Sequence, residues 1–252
     1  MRLKNQVAIV TGAGTGLGKA VALRYAAEGA RVLVAEIDAD GGRATEQEIH
    51  DARGEALFVP TNVAEEAEVR AMVEATLQRY GHIDILCNNA GILLYGKDTR
   101  AHELSGEVWE RTLAVNLRGC WLCAKYVIPH MLMQGRGCVI NLASPTGLRG
   151  YEGLTAYSVS KGGITALTRA MAADYSRYHI RVNAIVPGCM DTPMNAARLS
   201  DEKNRQQRLA MVPCGRLGVG EDVAGMAVFL ASDEADYCAG GFYAVDGGLM
   251  AI

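Results

Sequence analysis

The chain lacks most of the features that would direct it to nucleic acid, membrane or metal. Its 252 residues carry a net charge of −3 with no basic stripe or block, so no electrostatic footprint for a polyanion exists. No apolar run approaches the roughly 20 residues needed to cross a bilayer. The opening Met1-Arg2-Leu3-Lys4-Asn5 passes into a predicted strand without a secretory apolar region, so a cytoplasmic protein is expected. Its seven cysteines, odd in number and scattered through predicted strands and helices, do not form a disulfide framework. Cys120 and Cys123 have metal or redox spacing but lie inside one predicted helix and lack a second ligand pair. The five histidines make no His-x-x-x-His arrangement, and no metal site is expected. Internal repeats and low-complexity segments are also missing.

What is present is a regular alternation. Apolar stretches at 6–10, 31–36, 56–59, 84–87, 137–142, 181–186 and 241–245 read as strands. Helical patterns at 16–28, 40–52, 65–80, 107–134, 156–178 and 220–231 lie between them. Strands separated by helices pair in parallel, and right-handed crossovers place helices on both faces. The expected fold is therefore α/β, a Rossmann-type doubly wound sheet of about seven strands, with residues 1–252 as a single domain. Half of the chain is hydrophobic, enough for one sizeable core. In such a sheet ligands bind beyond the carboxyl ends of the strands.

The first strand runs into Thr11-Gly12-Ala13-Gly14-Thr15-Gly16-Leu17-Gly18 and then a helix. Glycines at 12, 16 and 18 permit positive φ, close approach of a pyrophosphate to backbone, and tight packing of helix on strand. The helix N-terminus then offers free N–H groups and the positive end of its dipole to an anion. The spacing differs from the Gly-x-Gly-x-x-Gly fingerprint, and a plain tight connection would use the same residues. The second strand ends in Glu36, where a doubly wound fold places an acceptor for the adenosine ribose hydroxyls. Neither Thr15 nor Ile37 is basic, so nothing local would neutralise a 2′-phosphate. NAD is expected over NADP.

Tyr157-Ser158-Val159-Ser160-Lys161 sets a phenol and an ammonium four residues apart, on one face of a helix. A positive charge fixed beside the phenol favours the phenolate, and such a pair accepts a proton from an alcohol. Alone, the pair is also what a half-exposed helix commonly carries.

Taken with Asn88-Asn89-Ala90-Gly91 after the fourth strand, Ser144 upstream of Tyr157, and Pro187-Gly188 after the sixth strand, the chain resembles the compact-subunit branch of the short-chain dehydrogenase/reductase family over essentially its whole length. The resemblance implies hydride exchange between a secondary alcohol or ketone and a nicotinamide, with Tyr157 as general acid or base. Lys161 would tune Tyr157 and hold the nicotinamide ribose. Ser144 would donate to the substrate oxygen, and Asn116 would hold a water leading from Lys161 to solvent. Cofactor contacts are implied for Gly12, Thr15, Gly16, Leu17, Gly18, Glu36, Ile37, Asn62, Val63, Asn89, Ala90, Gly91, Pro187, Gly188 and Thr192, besides Tyr157 and Lys161.

Asn62 departs from the family's usual aspartate at the adenine, and Leu93 to Gly106 runs a little longer than is common. The resemblance also implies a substrate lid at 189–214, an irregular charged stretch in which nothing ties any one charge to a substrate. Pro145, Leu148, Tyr151 and Cys189 are expected to line the substrate pocket, with Arg149 nearby. The long helices at 107–134 and 156–178 carry more apolar surface than one sheet face covers, and related enzymes pair them across a two-fold axis; a homotetramer is expected. Two other readings remain: a cofactor-binding regulatory or scaffold protein, which would be expected to lose Tyr157 or Lys161, and an extended epimerase or dehydratase, which would need a longer C-terminal substrate region.

Overall fold

Seven runs rich in Val, Ile, Leu and Ala form parallel strands: β1 Val7–Thr11, β2 Arg31–Glu36, β3 Glu55–Pro60, β4 Ile85–Asn88, β5 Gly137–Leu142, β6 Ile180–Pro187 and β7 Phe242–Val245. The computed structural model describes residues 1–251 and joins these strands into one sheet in the order β3-β2-β1-β4-β5-β6-β7. Helices α1 Gly16–Ala27, α2 Ala39–Asp51, α3 Glu66–Tyr80, α4 Gly106–Leu113, α5 Gly119–Gln134, α6 Thr155–Tyr175, α7 Ala196–Leu199, α8 Glu202–Ala210 and α9 Gly220–Ala231 complete the domain.

Every residue of β1 and β4 is buried, which explains continuous apolar runs where a half-exposed strand would alternate. Side chains still alternate between two cores. Ala8 and Val10 meet Val21 and Tyr25 of α1 and Val223 and Val228 of α9, whereas Ile9 faces Val69 and Met72 of α3 and Leu122 and Val127 of α5. The edge strands β3 and β7 are only partly covered. The chain winds outward from β1 to β3 and then returns to β4 on the other side of β1. That reversal opens a crevice beyond the carboxyl ends of β1 and β4, where a ligand can lie against backbone.

Two elements differ from the sequence reading. The single helix expected over 107–134 is divided by a π-helical turn, Ala114–Arg118, between α4 and α5. Helix propensity does not encode such a turn; it forms here around Asn116, whose side chain is committed to backbone outside the helix. The stretch 189–214, read as irregular, contains a 3₁₀ turn at Pro193–Asn195 followed by α7 and α8. Asp201 caps α8 by accepting from the Asn204 N–H at 2.8 Å. Among the described residues no helix is long and apolar enough to cross a membrane.

Candidate active site

At the turn after β1, Gly12 and Gly16 take left-handed φ values of +64° and +56°. Gly18 sits in the first turn of α1, and a Cβ there would lie 2.0 Å from the Gly12 carbonyl oxygen, so helix and strand are too close for any side chain. The Gly14 N–H donates to Glu36 Oε2 at 2.8 Å, while Glu36 Oε1 accepts from the N–H groups of Ile37 and Asp38 at 2.8 and 3.1 Å. Three backbone donors thus fix the Glu36 carboxylate at the wall of the crevice. Asn89 braces the turn from the other side, its amide donating to the Thr11 and Gly12 carbonyls, each at 2.9 Å.

Helix α1 begins without help. Thr15 makes no side-chain cap and the first turn holds no acidic residue, whereas Asp38 caps α2, Ser105 caps α4 and Asp201 caps α8. Bare N–H groups and a positive dipole end therefore face the crevice, the arrangement that receives a pyrophosphate. With the glycine cradle and the fixed carboxylate, these residues fit a nicotinamide dinucleotide.

The crevice is a cavity of about 600 Å³. Of the residues expected to contact the cofactor, all but Gly18 line it, as do Ser144, Tyr157 and Lys161. Thr192 faces Gly16, its Cβ 3.7 Å from where a Gly16 Cβ would stand. Ile37 is two-thirds exposed at the rim. Asn62 Oδ1 accepts from the Ala64 N–H at 3.1 Å, so one of its two lone pairs is committed to its own turn. Leu148, expected in the pocket, does not line it: it follows the 3₁₀ turn Pro145–Gly147 and points to solvent at 41 % exposure.

Tyr157 and Lys161 stand one turn apart on α6, with the Lys161 Nζ 5.7 Å from the centre of the Tyr157 ring. The ammonium donates to the Leu142 carbonyl at 2.7 Å. Burial pushes Tyr157 up to about 12, opposed by the adjoining Ser144 hydroxyl, and pushes Lys161 down to about 8. Among the protein's own groups, desolvation dominates at Tyr157 and the Ser144 hydroxyl opposes it, so the lowering expected from Lys161 does not prevail in the unliganded fold. Ser144 Oγ accepts from the Thr146 N–H at 3.3 Å and from its hydroxyl at 3.0 Å, so it caps the 3₁₀ turn while facing Tyr157.

Asn116 is fully buried in the π turn. Its Oδ1 accepts from the Ile92 N–H at 2.7 Å, and its Nδ2 donates to the Ile92 carbonyl at 3.0 Å and to Ser160 Oγ at 3.1 Å. Both ends of the amide are occupied, which ties the Gly91–Ile92 loop to the helix pair. A Cβ on Gly91 would lie 3.4 Å from Asn116 Oδ1 and 3.7 Å from Lys161 Nζ, so the glycine separates the two side chains.

The structure adds residues that the sequence reading passed over. Asp98, in the long loop Leu93–Gly106, is buried, and its two carboxylate oxygens accept from the Ala156 and Tyr157 N–H groups at 3.0 and 2.9 Å. It caps the helix that carries Tyr157 and Lys161 from 58 residues away. No local pattern announces such a cap. Arg198 of α7 and Arg208 of α8 line the cavity, and the half-buried positions 204, 205, 208 and 209 of α8 recur with helical spacing. Cys120 and Cys123 are buried in α5, with both thiols pushed up by desolvation, Cys120 to about 12. Among the described residues no group of three metal-ligating side chains occurs.

Comparison with known proteins agrees with this geometry. A family model described as enoyl-(acyl carrier protein) reductase matches residues 12–250. The 2-(R)-hydroxypropyl-CoM dehydrogenase of Xanthobacter autotrophicus is 39 % identical over 98 % of this chain and 100 % of its own length. A cyclohexanol dehydrogenase of Acinetobacter sp. is 37 % identical over 98 % of this chain and 95 % of its own. Among solved structures, a provisionally assigned NAD(P)-dependent gluconate 5-dehydrogenase of Beutenbergia cavernae with bound NADP at low occupancy superposes with a TM-score of 0.94 at 37 % identity, covering 99 % of this chain and 98 % of that one. With a seven-stranded parallel sheet, a glycine cradle at its switch point, and relatives matched end to end, the chain belongs to the short-chain dehydrogenase/reductase family.

Proposed function

We propose that the protein is an NAD-dependent oxidoreductase that interconverts a secondary alcohol and its ketone, with Tyr157 as general acid and base. The observation that carries this reading is one cavity holding the adjacent Ser144 and Tyr157 hydroxyls, the buried Lys161 ammonium and the glycine cradle. Bound across the cradle, the nicotinamide supplies the hydride acceptor or donor. Ser144 holds the substrate oxygen and stabilises charge that develops on it. In reduction Tyr157, protonated at neutral pH, gives its proton to the carbonyl oxygen; in oxidation it takes the hydroxyl proton back. Lys161 places a positive charge beside the site and carries donors for the nicotinamide ribose. Asn116, its side chain fully engaged, supports the loop through Gly91 and Ile92 beside Lys161.

The similar structure from Beutenbergia cavernae carries NADP, so the local residues must decide the cofactor. Here Glu36 presents a fixed carboxylate where a 2′-phosphate would lie, with Thr15 and Ile37 as cavity neighbours and no cation among them. That favours NAD. A scaffold role would leave Tyr157 and Lys161 without purpose, and both stand in place. Exposed Trp121, Met133 and Val159 on α5 and α6, and the half-covered edge strand β7, supply two surfaces for a cytoplasmic homotetramer, which light scattering tests.

The deciding experiment is oxidation of a panel of secondary alcohols with NAD and with NADP, followed by absorbance of the reduced cofactor. Tyr157→Phe should keep the fold and cofactor binding while lowering turnover about 10²–10⁴-fold. Near wild-type turnover in that variant, contamination excluded, would refute the chemistry.

A further inference from the structure

Beyond Tyr157 the cavity wall changes character. Among the described residues Glu36 is the only acidic one that lines it, and its carboxylate belongs to the glycine turn. Arg198 and Arg208 line the wall from the two lid helices, both half-buried. A guanidinium cannot discharge itself by losing its proton, so partial burial without a counter-ion is costly.

Arg111 in the same cavity wall and Arg181 beneath α9 have no carboxylate within 4.0 Å among the described residues, but several arginines elsewhere are paired. Arg79 meets Glu55 at 2.9 Å, Arg136 meets Asp84 at 3.0 Å and Arg216 meets Asp222 at 2.7 Å. On α8 itself Arg205 reaches Asp191 at 3.6 Å, which fastens that helix to the chain after β6. Three residues further on, Arg208 has no carboxylate within 4.0 Å among the described residues, and its guanidinium lies beside the Cys189 thiol. Arg198 likewise has none, and rests 5.1 Å above the ring of Tyr95, in the loop on the far side of the mouth. Arg149 points its guanidinium at the hydroxyl of the cavity residue Tyr151, at 3.1 and 2.8 Å. Aromatic rings, a hydroxyl and a thiol hold these groups in place without neutralising any of them. Their planar donor forks suit an oxyanion with two or more oxygens.

We propose that the substrate carries an anionic oxyacid group, a carboxylate or sulfonate, away from its reacting carbon, and that Arg198 and Arg208 bind that group. The proposal rests on the oxidoreductase reading of the same cavity and adds the substrate class to it. Because both arginines lie on α7 and α8, the anion also draws the lid onto the substrate. A neutral alcohol would enter the same cavity without engaging the lid charges.

The test separates this from the hydride-transfer reading. Calorimetric titration of the complex with reduced nicotinamide cofactor uses cyclohexanecarboxylate, cyclohexanesulfonate and the neutral cyclohexanecarboxamide, so that the cofactor's own phosphates are already in place. At least one anion should bind at least about tenfold more tightly than the amide; which anion wins names the oxyacid. Arg198→Gln with Arg208→Gln should reduce that preference to less than about threefold, and Arg208→Lys should retain part of it. Retained cofactor affinity in the double variant shows that it has folded; lost cofactor affinity with a native melting curve would assign the arginines to the cofactor and overturn the proposal. Equal affinity for acid and amide, no measurable binding of either anion, or an undiminished preference in the double variant overturns it as well. Cyclohexanol oxidation is followed in parallel: its failure with every alcohol would refute the oxidoreductase reading while the acid and amide comparison still judged the arginines.

Discussion

Replacing Asp98 by alanine removes the only side chain that caps the helix carrying Tyr157 and Lys161. Leu154, the residue before α6, offers no capping side chain, so the Ala156 and Tyr157 N–H groups depend on the Asp98 carboxylate. The carboxylate is 5 % exposed, and the Thr155 hydroxyl binds the Thr99 carbonyl at 2.7 Å, so the loop and the helix start close as one unit. Hydrogen bonds to a charged group contribute roughly 1.5–3 kcal/mol each, and losing a cap costs about 0.5–2 kcal/mol. For two such bonds at a buried helix start, a loss of about 3 kcal/mol follows, which lowers the Tm of a chain this size by roughly 6–12 °C.

One of the two donors is the backbone of Tyr157 itself, so the same change loosens the group proposed to transfer the proton. A misplacement of about 1 Å can cost about 10²-fold in rate. Asp98→Ala should therefore reduce kcat by at least about tenfold at temperatures where it remains folded, while cofactor affinity changes little. Asp98→Asn keeps the shape and one good acceptor and should fall between. Thermal melts and steady-state kinetics on the three proteins decide the matter: a Tm within about 1 °C of wild type together with unchanged kcat would show that the loop does not hold the helix.

Three further outcomes follow from the site. Gly18→Ala would place a carbon 2.0 Å from the Gly12 carbonyl, so cofactor affinity measured by fluorescence titration should collapse even where circular dichroism shows a folded sheet. Wild-type kcat/KM with NAD should exceed that with NADP by at least about tenfold, or ~1.4 kcal/mol, and Glu36→Ala should narrow the gap; equal efficiency with NADP in wild type would refute the reading of Glu36. For Lys161, whose ammonium loses its proton at about 8 in the fold against 10.5 ordinarily, the unfolded chain holds the extra proton across that window. Wild type should therefore gain about 3 kcal/mol of stability relative to Lys161→Met as pH rises from about 8 to 10.5; parallel urea stability curves for the two proteins across that range would exclude a buried charge.

How much of this was legible in the sequence depended on distance along the chain. The alternation of β-branched runs and amphipathic helices specified a parallel doubly wound sheet, and each strand lies within two residues of its expected bounds, because period and length are local properties. Glycine spacing and the Tyr157–Lys161 pair are also local. Asp98 was not legible, since its partners begin 58 residues later. The π turn at Ala114–Arg118 escaped notice for a related reason: it answers to Asn116 bonding Ile92, 24 residues earlier, and not to the propensity of its own residues. Arg208 stood in plain sight within a charged stretch, but only the lid's fold separates it from Arg205, which is paired with Asp191.

Four of the local rules that this chain breaks meet at one place. Helix α1 starts uncapped, Lys161 buries a cation with only the Leu142 carbonyl and its helix for company, the α4–α5 helix gives up its regular register at Asn116, and Arg198 and Arg208 lack counter-ions among the described residues. Each is unfavourable for folding taken alone. Scattered over the molecule they would be unrelated defects, yet all of them border the cavity at the β1–β4 switch point. An anion at α1, a phenol that must exchange protons beside Lys161, and an oxyanion between Arg198 and Arg208 would each relieve one of these costs only when substrate and cofactor are in place. On the proposed function the fold would hold stabilising interactions in reserve for the bound state, as a site needs if ligand binding is to drive closure of α7 and α8.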